Sequence, residues 1–203
     1  LLQRWRDRED RVLHFFSSHE HLDHRSGLPF ASFSLVKKNP FHVRIYGPAQ
    51  FLVALDAHFG MFSHKVGPIT HRDDPLDFSI MTASFEGVEF HDPGGETRIG
   101  IAKPNDWGVH DIRKPVRIGR TEITAFPVYH GLTTCLAYKV RHDGKTFIFC
   151  TDHEARKGMD PADPRQVESA KGEERLISHA AGADALYIDG QYFKAEYMGL
   201  RGI

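Results

Sequence analysis

Four side chains of metal-ligand type, His19, His21, Asp23 and His24, fall within six residues of one another in Ser17-Ser18-His19-Glu20-His21-Leu22-Asp23-His24. They follow directly on an apolar run, Val12-Leu13-His14-Phe15-Phe16. An apolar run that ends in a tight polar loop reads as a strand that delivers side chains to one small volume. His19 and His21 are two apart, so they point the same way while the backbone stays extended. Asp23 and His24 are adjacent, and the spacing predicts that they diverge, which suits a second metal ion beside the first. Imidazole and carboxylate without thiolate favour a catalytic zinc, manganese or iron centre over a structural thiolate site. Single histidines mean little in a chain with 14 of them in 203 residues. The clustering and the order carry the signal.

Two more candidate ligands lie far along the chain, each behind an apolar segment. Thr121-Glu122-Ile123-Thr124-Ala125-Phe126-Pro127-Val128-Tyr129-His130 alternates as far as Val128 and reads as a strand that ends in His130. Thr146-Phe147-Ile148-Phe149-Cys150 runs straight into Thr151-Asp152-His153-Glu154. Strand ends side by side at a sheet edge converge their loops on a single cleft. His153 and Glu154 are placed to touch ligands or substrate rather than to bind metal. Asp189, before Gly190, is an outer partner or a turn former. Glu20 alternates away from His19 and His21, which predicts a contact at the surface or behind the ligands.

The order His19-x-His21-x-Asp23-His24 resembles the metallo-β-lactamase superfamily. Leu22 within it, followed by Gly27-Leu28-Pro29, looks most like the phosphodiesterase-type branch. The resemblance implies a mixed α/β fold, a four-layer αβ/βα sandwich with two sheets face to face and helices outside. It implies that His19, His21 and His130 hold a first metal, that Asp23 and His24 help hold a second, and that Asp152 bridges the two. Two divalent ions, zinc first and manganese or iron as alternatives, would share a hydroxide that hydrolyses a cyclic nucleotide or other small phosphodiester. Asp23 would then orient the nucleophile or accept its proton. The rival readings are a lactonase or thioesterase of the same fold, an RNA-processing nuclease, and a metal-binding module without turnover. Members of the family carry strands ahead of the region matching Leu1, and a last metal-binding histidine beyond the strand matching 185–189. No histidine follows His179 here. The expectation is one domain over 1–203, incomplete at both ends, with the second metal one imidazole short.

The remaining properties narrow the partners. A formal net charge of −1 creates no field that would gather nucleic acid or an anionic membrane, and no run approaches the length of a membrane span. Cys135 and Cys150 form no Cys-x-x-Cys pair, which predicts reduced thiols and a cytoplasmic protein. A small-molecule phosphodiester is the expected partner, and a homo-oligomer is compatible with the chain. The elements that must position the ligands are a helix over 1–10, strands at 11–17 and 41–46, and a helix from Ala49 to Phe59. Beyond them come short strands and loops over 61–115, with a solvated basic hairpin at Arg113-Lys114-Pro115-Val116-Arg117. A hairpin about Asp143-Gly144, a polar loop at 155–165, a helix near 166–181 and a buried-type strand at Ala185-Leu186-Tyr187-Ile188-Asp189 complete the reading.

Overall fold

The computed structural model describes residues 12–27, 42–59, 84–93, 107–155 and 162–190. The helix expected over 1–10 lies outside them, as do 28–41, 60–83 and 94–106 and most of the loop at 155–165. Two compact units divide the chain, Leu1–Ile112 and Arg113–Ile203. Each is built on a sheet, so the architecture is mixed α/β with two sheets.

In the first unit β1 (Val12–Phe16), β2 (His42–Gly47), β3 (Ser84–His91) and β4 (Gly108–Asp111) form a parallel sheet in that order. A four-residue helix, α1 (Leu22–Arg25), follows β1, and α2 (Ala49–Phe59) follows β2 at the bounds the sequence indicates. Register pairs Leu13 with Val43 and Phe15 with Ile45, which aligns their side chains on one sheet face. Phe51, Leu52 and Leu55 of α2 close over that face, and Trp107 and Phe85 pack at its border. The opposite face stacks Phe16 on Tyr46 at 4.4 Å with Phe90 beside them. Alternate residues thus serve two apolar layers, as buried parallel strands require. Gly47 makes the strand-to-helix turn possible, because a Cβ there would lie 2.9 Å from the Phe51 ring.

Sequence reading resolved little of 61–115, yet β3 is an eight-residue strand. Its Glu86 is tied to the adjacent strand. Glu86 accepts hydrogen bonds from His42 Nε2 at 2.9 Å and from Arg44 Nε at 2.8 Å on the adjacent strand. Burial alone would raise the Glu86 carboxyl, but the bonds from His42 and Arg44 outweigh it and leave its pKa below the ordinary value.

In the second unit β5 (Val116–Ile118), β6 (Thr121–His130), β7 (Thr133–His142) and β8 (Lys145–Cys150) form an antiparallel meander. Asp143 and Gly144 both take positive φ, 47° and 77°, so the Asp-Gly pair makes the tight hairpin its composition announces. The basic group at Arg113–Arg117 leads into the β5–β6 hairpin, with Arg117 paired to Glu122 at 2.9 Å. α3 (Pro164–Ala180) then crosses over to β9 (Ala185–Ile188), which pairs parallel with β8. Asp163 caps α3 by accepting from Arg165 N at 2.9 Å, and Pro164 supplies a preset φ in the first turn. Ser169, Gly172 and Leu176 are its buried line. Leu176 joins Phe126, Val128, Cys135, Ala137, Ile148 and Cys150 in the core, and both cysteines are free.

One expectation fails here. The strand at 185–189 forms, but it is not buried: Leu186, Tyr187 and Ile188 are each 49% exposed. β9 is the edge of the sheet, bonded on one side to β8, while α3 lies over β6 and β7. An apolar run without turn residues signals a strand equally well at an edge or in a centre, so composition alone misjudged its burial.

Candidate metal centre

Every strand of the first sheet runs the same way, so their carboxyl ends share one edge, where loops of open α/β sheets gather ligands. Ser17 N donates to Tyr46 O at 2.9 Å and carries the β1–β2 ladder one residue past β1. Ser18 and His19 therefore enter the loop from a fixed strand end, and both are buried, His19 at 0% exposure. The Ser18 hydroxyl lies 3.0 Å from His19 Nδ1. With Nδ1 protonated and donating to that oxygen, Nε2 keeps its lone pair, the tautomer a metal ligand needs.

His21 is the N-cap of α1, with ψ at 149°, and His24 returns on the helical turn that follows. Their rings stand 4.5 Å and 4.2 Å from that of His19. The ligand nitrogens of His19 lie within 4.8 Å of those of His21 and of His24. Two nitrogens on one tetrahedral zinc would be about 3.3 Å apart, given Zn–N bonds near 2 Å. His19 thus lies close to each of the other two imidazoles.

Asp23 behaves differently from its expected place. Its side chain is 79% exposed, and Oδ2 lies 3.3 Å from His24 Nε2. The two adjacent side chains approach each other instead of diverging, because a helical turn, not an extended loop, carries them. Glu20 Oε2 is buried and takes no hydrogen bond among the described residues, while the Glu20 carbonyl accepts from Arg25 Nε at 2.8 Å. Arg25 Nη1 donates to Ala54 O of α2 at 3.2 Å, which fastens the loop to the helix. Sequence reading missed Arg25 altogether. No motif marks it, since its role depends on α2 lying beside the loop.

In the second unit His130 is the last residue of β6 and Asp152 stands two residues beyond β8. β6 and β8 both run antiparallel to β7, so these ends share an edge. The loop after β8 bends back toward β6. Cys135 Sγ donates to Thr151 O at 3.4 Å, and Glu154 N donates to Tyr129 O at 2.8 Å, one residue before His130. Asp152 sits inside this bend at φ 51°, a left-handed angle that Asp tolerates better than most residues. His153 turns under α3, where a Cβ on Gly172 would lie 3.3 Å from its Cε1. Burial pushes its imidazole below the ordinary pKa against the pull of Glu173, so it is neutral at neutral pH. Asp189 N donates to Cys150 O at 3.2 Å. Burial, with Asp152 and Asp189 adding to it, pushes the Cys150 thiol up to about 12.

The donors fit a divalent transition metal. One unit offers His19, oriented by a hydroxyl, with His21 and His24 each beside it, and the other offers an imidazole and a carboxylate at one sheet edge. His179 is no part of this set, for it stacks on Phe126 at 4.0 Å.

No protein-family profile matches the chain, and no curated protein does. Among solved structures it is similar to the metallo-β-lactamase-fold protein YhfI from Bacillus subtilis, at 15% identity and a TM-score of 0.39, over 70% of this chain and 40% of that one. A HARLDQ-motif metallo-β-lactamase from Cronobacter sakazakii is similar at 13% identity and a TM-score of 0.44, over 93% of this chain and 70% of that one. A motif mutant of a Cronobacter sakazakii metallo-β-lactamase gives 18% identity and a TM-score of 0.43, over 99% of this chain and 65% of that one. The chain thus spans less than two thirds of YhfI and of the mutant.

Proposed function

We propose that the chain is a metal-dependent hydrolase, and specifically a phosphodiesterase that uses two divalent ions, zinc first among them. The buried His19 ring, flanked by His21 and His24 and oriented by Ser18, is the observation that carries this reading. Burial of the polar His19 ring costs free energy that a bound cation would offset.

His19, His21 and His130 would hold the first ion, His24 and Asp23 would help hold the second, and Asp152 would serve both. When bound, the ions supply Lewis acidity toward phosphoryl oxygens and a water acidified to near neutrality. Ser18 keeps Nε2 of His19 free of its proton. Asp23, open to solvent and 3.3 Å from His24, orients that imidazole and takes up or hands on a proton at Oδ2. Glu154 ties the Asp152 loop to the strand that ends in His130. The expected substrate is a small phosphodiester, since paired cations clamp phosphoryl oxygens, and the setting is the cytoplasm, in keeping with two free buried thiols. Among the described residues no helix is long and apolar enough to cross a membrane.

The test is zinc- or manganese-loaded protein assayed against bis(p-nitrophenyl) phosphate, a cyclic nucleotide, a lactone and a thioester. Phosphodiester cleavage in excess of the others, abolished by chelator, is the expected result. Lactone or thioester hydrolysis alone would transfer the assignment to an esterase of this fold. Metal binding with no turnover would make the chain a binding module.

A further inference from the structure

Both candidate ligands of the second unit hang from residues that one helix fastens. Ser169, Gly172 and Arg175 lie three apart along α3 and so share one face. Ser169, 2% exposed, donates from Oγ to Glu154 O at 2.7 Å. Gly172 lies so close to β6 that a Cβ would stand 2.8 Å from Tyr129 N, a contact with backbone that nothing flexible can relieve. Arg175 Nε donates to Pro127 O at 3.0 Å. The anchored residues, Pro127, Tyr129 and Glu154, flank the ligands: His130 follows Tyr129, and Asp152 precedes Glu154 by two. Glu154 itself donates to Tyr129 O, so the helix, the strand end and the loop form a closed set of ties.

We infer that Ser169, Gly172 and Arg175 are positioning residues that set the metal affinity of Asp152 and His130 by holding the Thr151–Glu154 loop in its bent path. The inference rests on the metal-ligand reading of those two residues. Asp152 needs such support because φ of 51° is unfavourable for a residue with a Cβ, and a strained angle persists only where its surroundings over-determine it. Without the Ser169 bond the loop is free to relax toward an ordinary backbone angle, which swings the carboxylate away from its place. A ligand held through its neighbours loses affinity when they are removed, by about 10–100-fold in known outer-shell cases. Nothing in the local sequence marks these residues, since a Ser, a Gly and an Arg in a polar helix read as surface.

Calorimetric zinc titration of the 203-residue chain, paired with thermal melting, tests it. Ser169→Ala is expected to weaken zinc binding roughly tenfold. Arg175→Gln, which leaves the helix face intact, is expected to weaken it a few-fold. Leu176→Ala, on the same helix and in the core, is expected to lower the melting temperature more than either while leaving zinc affinity unchanged. Wild-type affinity in both Ser169→Ala and Arg175→Gln would overturn the inference, as would affinity that simply follows stability through all three variants. Asp152→Ala separates this from the broader reading. If it binds zinc like wild type, Asp152 is no ligand and both fall. If it binds weakly while Ser169→Ala and Arg175→Gln bind normally, only the positioning role falls.

Discussion

The two sheet edges assemble ligands by opposite means. In the first unit the ligands are neighbours in sequence, and a parallel strand end plus one helical turn suffice to bring His21 and His24 each beside His19. In the second, His130 and Asp152 are separated by a whole hairpin, and they meet at one edge only through the β6–β7–β8 meander, a residue at an unfavourable angle, and a helix that fastens the loop. The first edge is preorganised locally and the second by tertiary contacts. Substitutions away from the ligands should therefore disturb the second edge far more than the first.

The largest expected effect belongs to the local cluster. His19→Ala removes a fully buried ring at its centre, so metal binding should fall by at least about 100-fold and hydrolysis should vanish, since no neighbouring group can take its position. The variant should also lose about 1–3 kcal/mol of stability, because Ser18 Oγ is left without its partner. Retained metal and activity in this variant would break the comparison at its root.

Asp152→Gly sharpens it from the other side. Glycine accepts φ of 51° at no steric cost, so relief of strain offsets its greater unfolded-state entropy, and stability should change by less than about 1 kcal/mol while turnover is lost. A large fall in melting temperature would show that the carboxylate holds the fold rather than a metal. Arg25→Gln, which unfastens the first loop from α2, should cost a smaller amount, about 1 kcal/mol and a few-fold in metal affinity. A tenfold loss of metal affinity in Arg25→Gln, as large as that expected of Ser169→Ala, would contradict the contrast drawn between the two loops.

The smallest effect is a pH dependence of the first unit. Glu86 is held below its ordinary pKa of 4.5 by His42 and Arg44. Its unfolded form therefore binds protons first as the pH falls, so its contribution is full above 4.5 and lost as pH drops through the lower folded value. Melting at a series of pH values should show that the acid slope between pH 5 and 3 is shallower in Glu86→Gln than in wild type. An identical slope would remove Glu86 from the account.

What the sequence made legible follows the same division. The ligand stretch, β1, α2, the Asp-Gly hairpin and the strand ending in His130 were readable because each is decided locally, by periodicity, by turn chemistry or by ligand spacing. The approach of Asp23 to His24 was not, because the loop closes as a helical turn whose apolar residue, Leu22, faces out at 56% exposure and gives no periodic signal. Arg25, Ser169 and Gly172 were invisible for another reason: each acts on a carbonyl or backbone nitrogen that only the assembled fold brings near. The exposure of β9 depends on what α3 covers, which no window of eight residues records.

The central claim, that clustered imidazoles hold a metal, is tested most directly by X-ray absorption at the zinc edge on zinc-loaded protein. The account predicts a nitrogen and oxygen shell at about 2.0–2.2 Å with the outer scattering of at least two imidazole rings and no sulfur. A shell containing sulfur, or one without imidazole scattering, would contradict it.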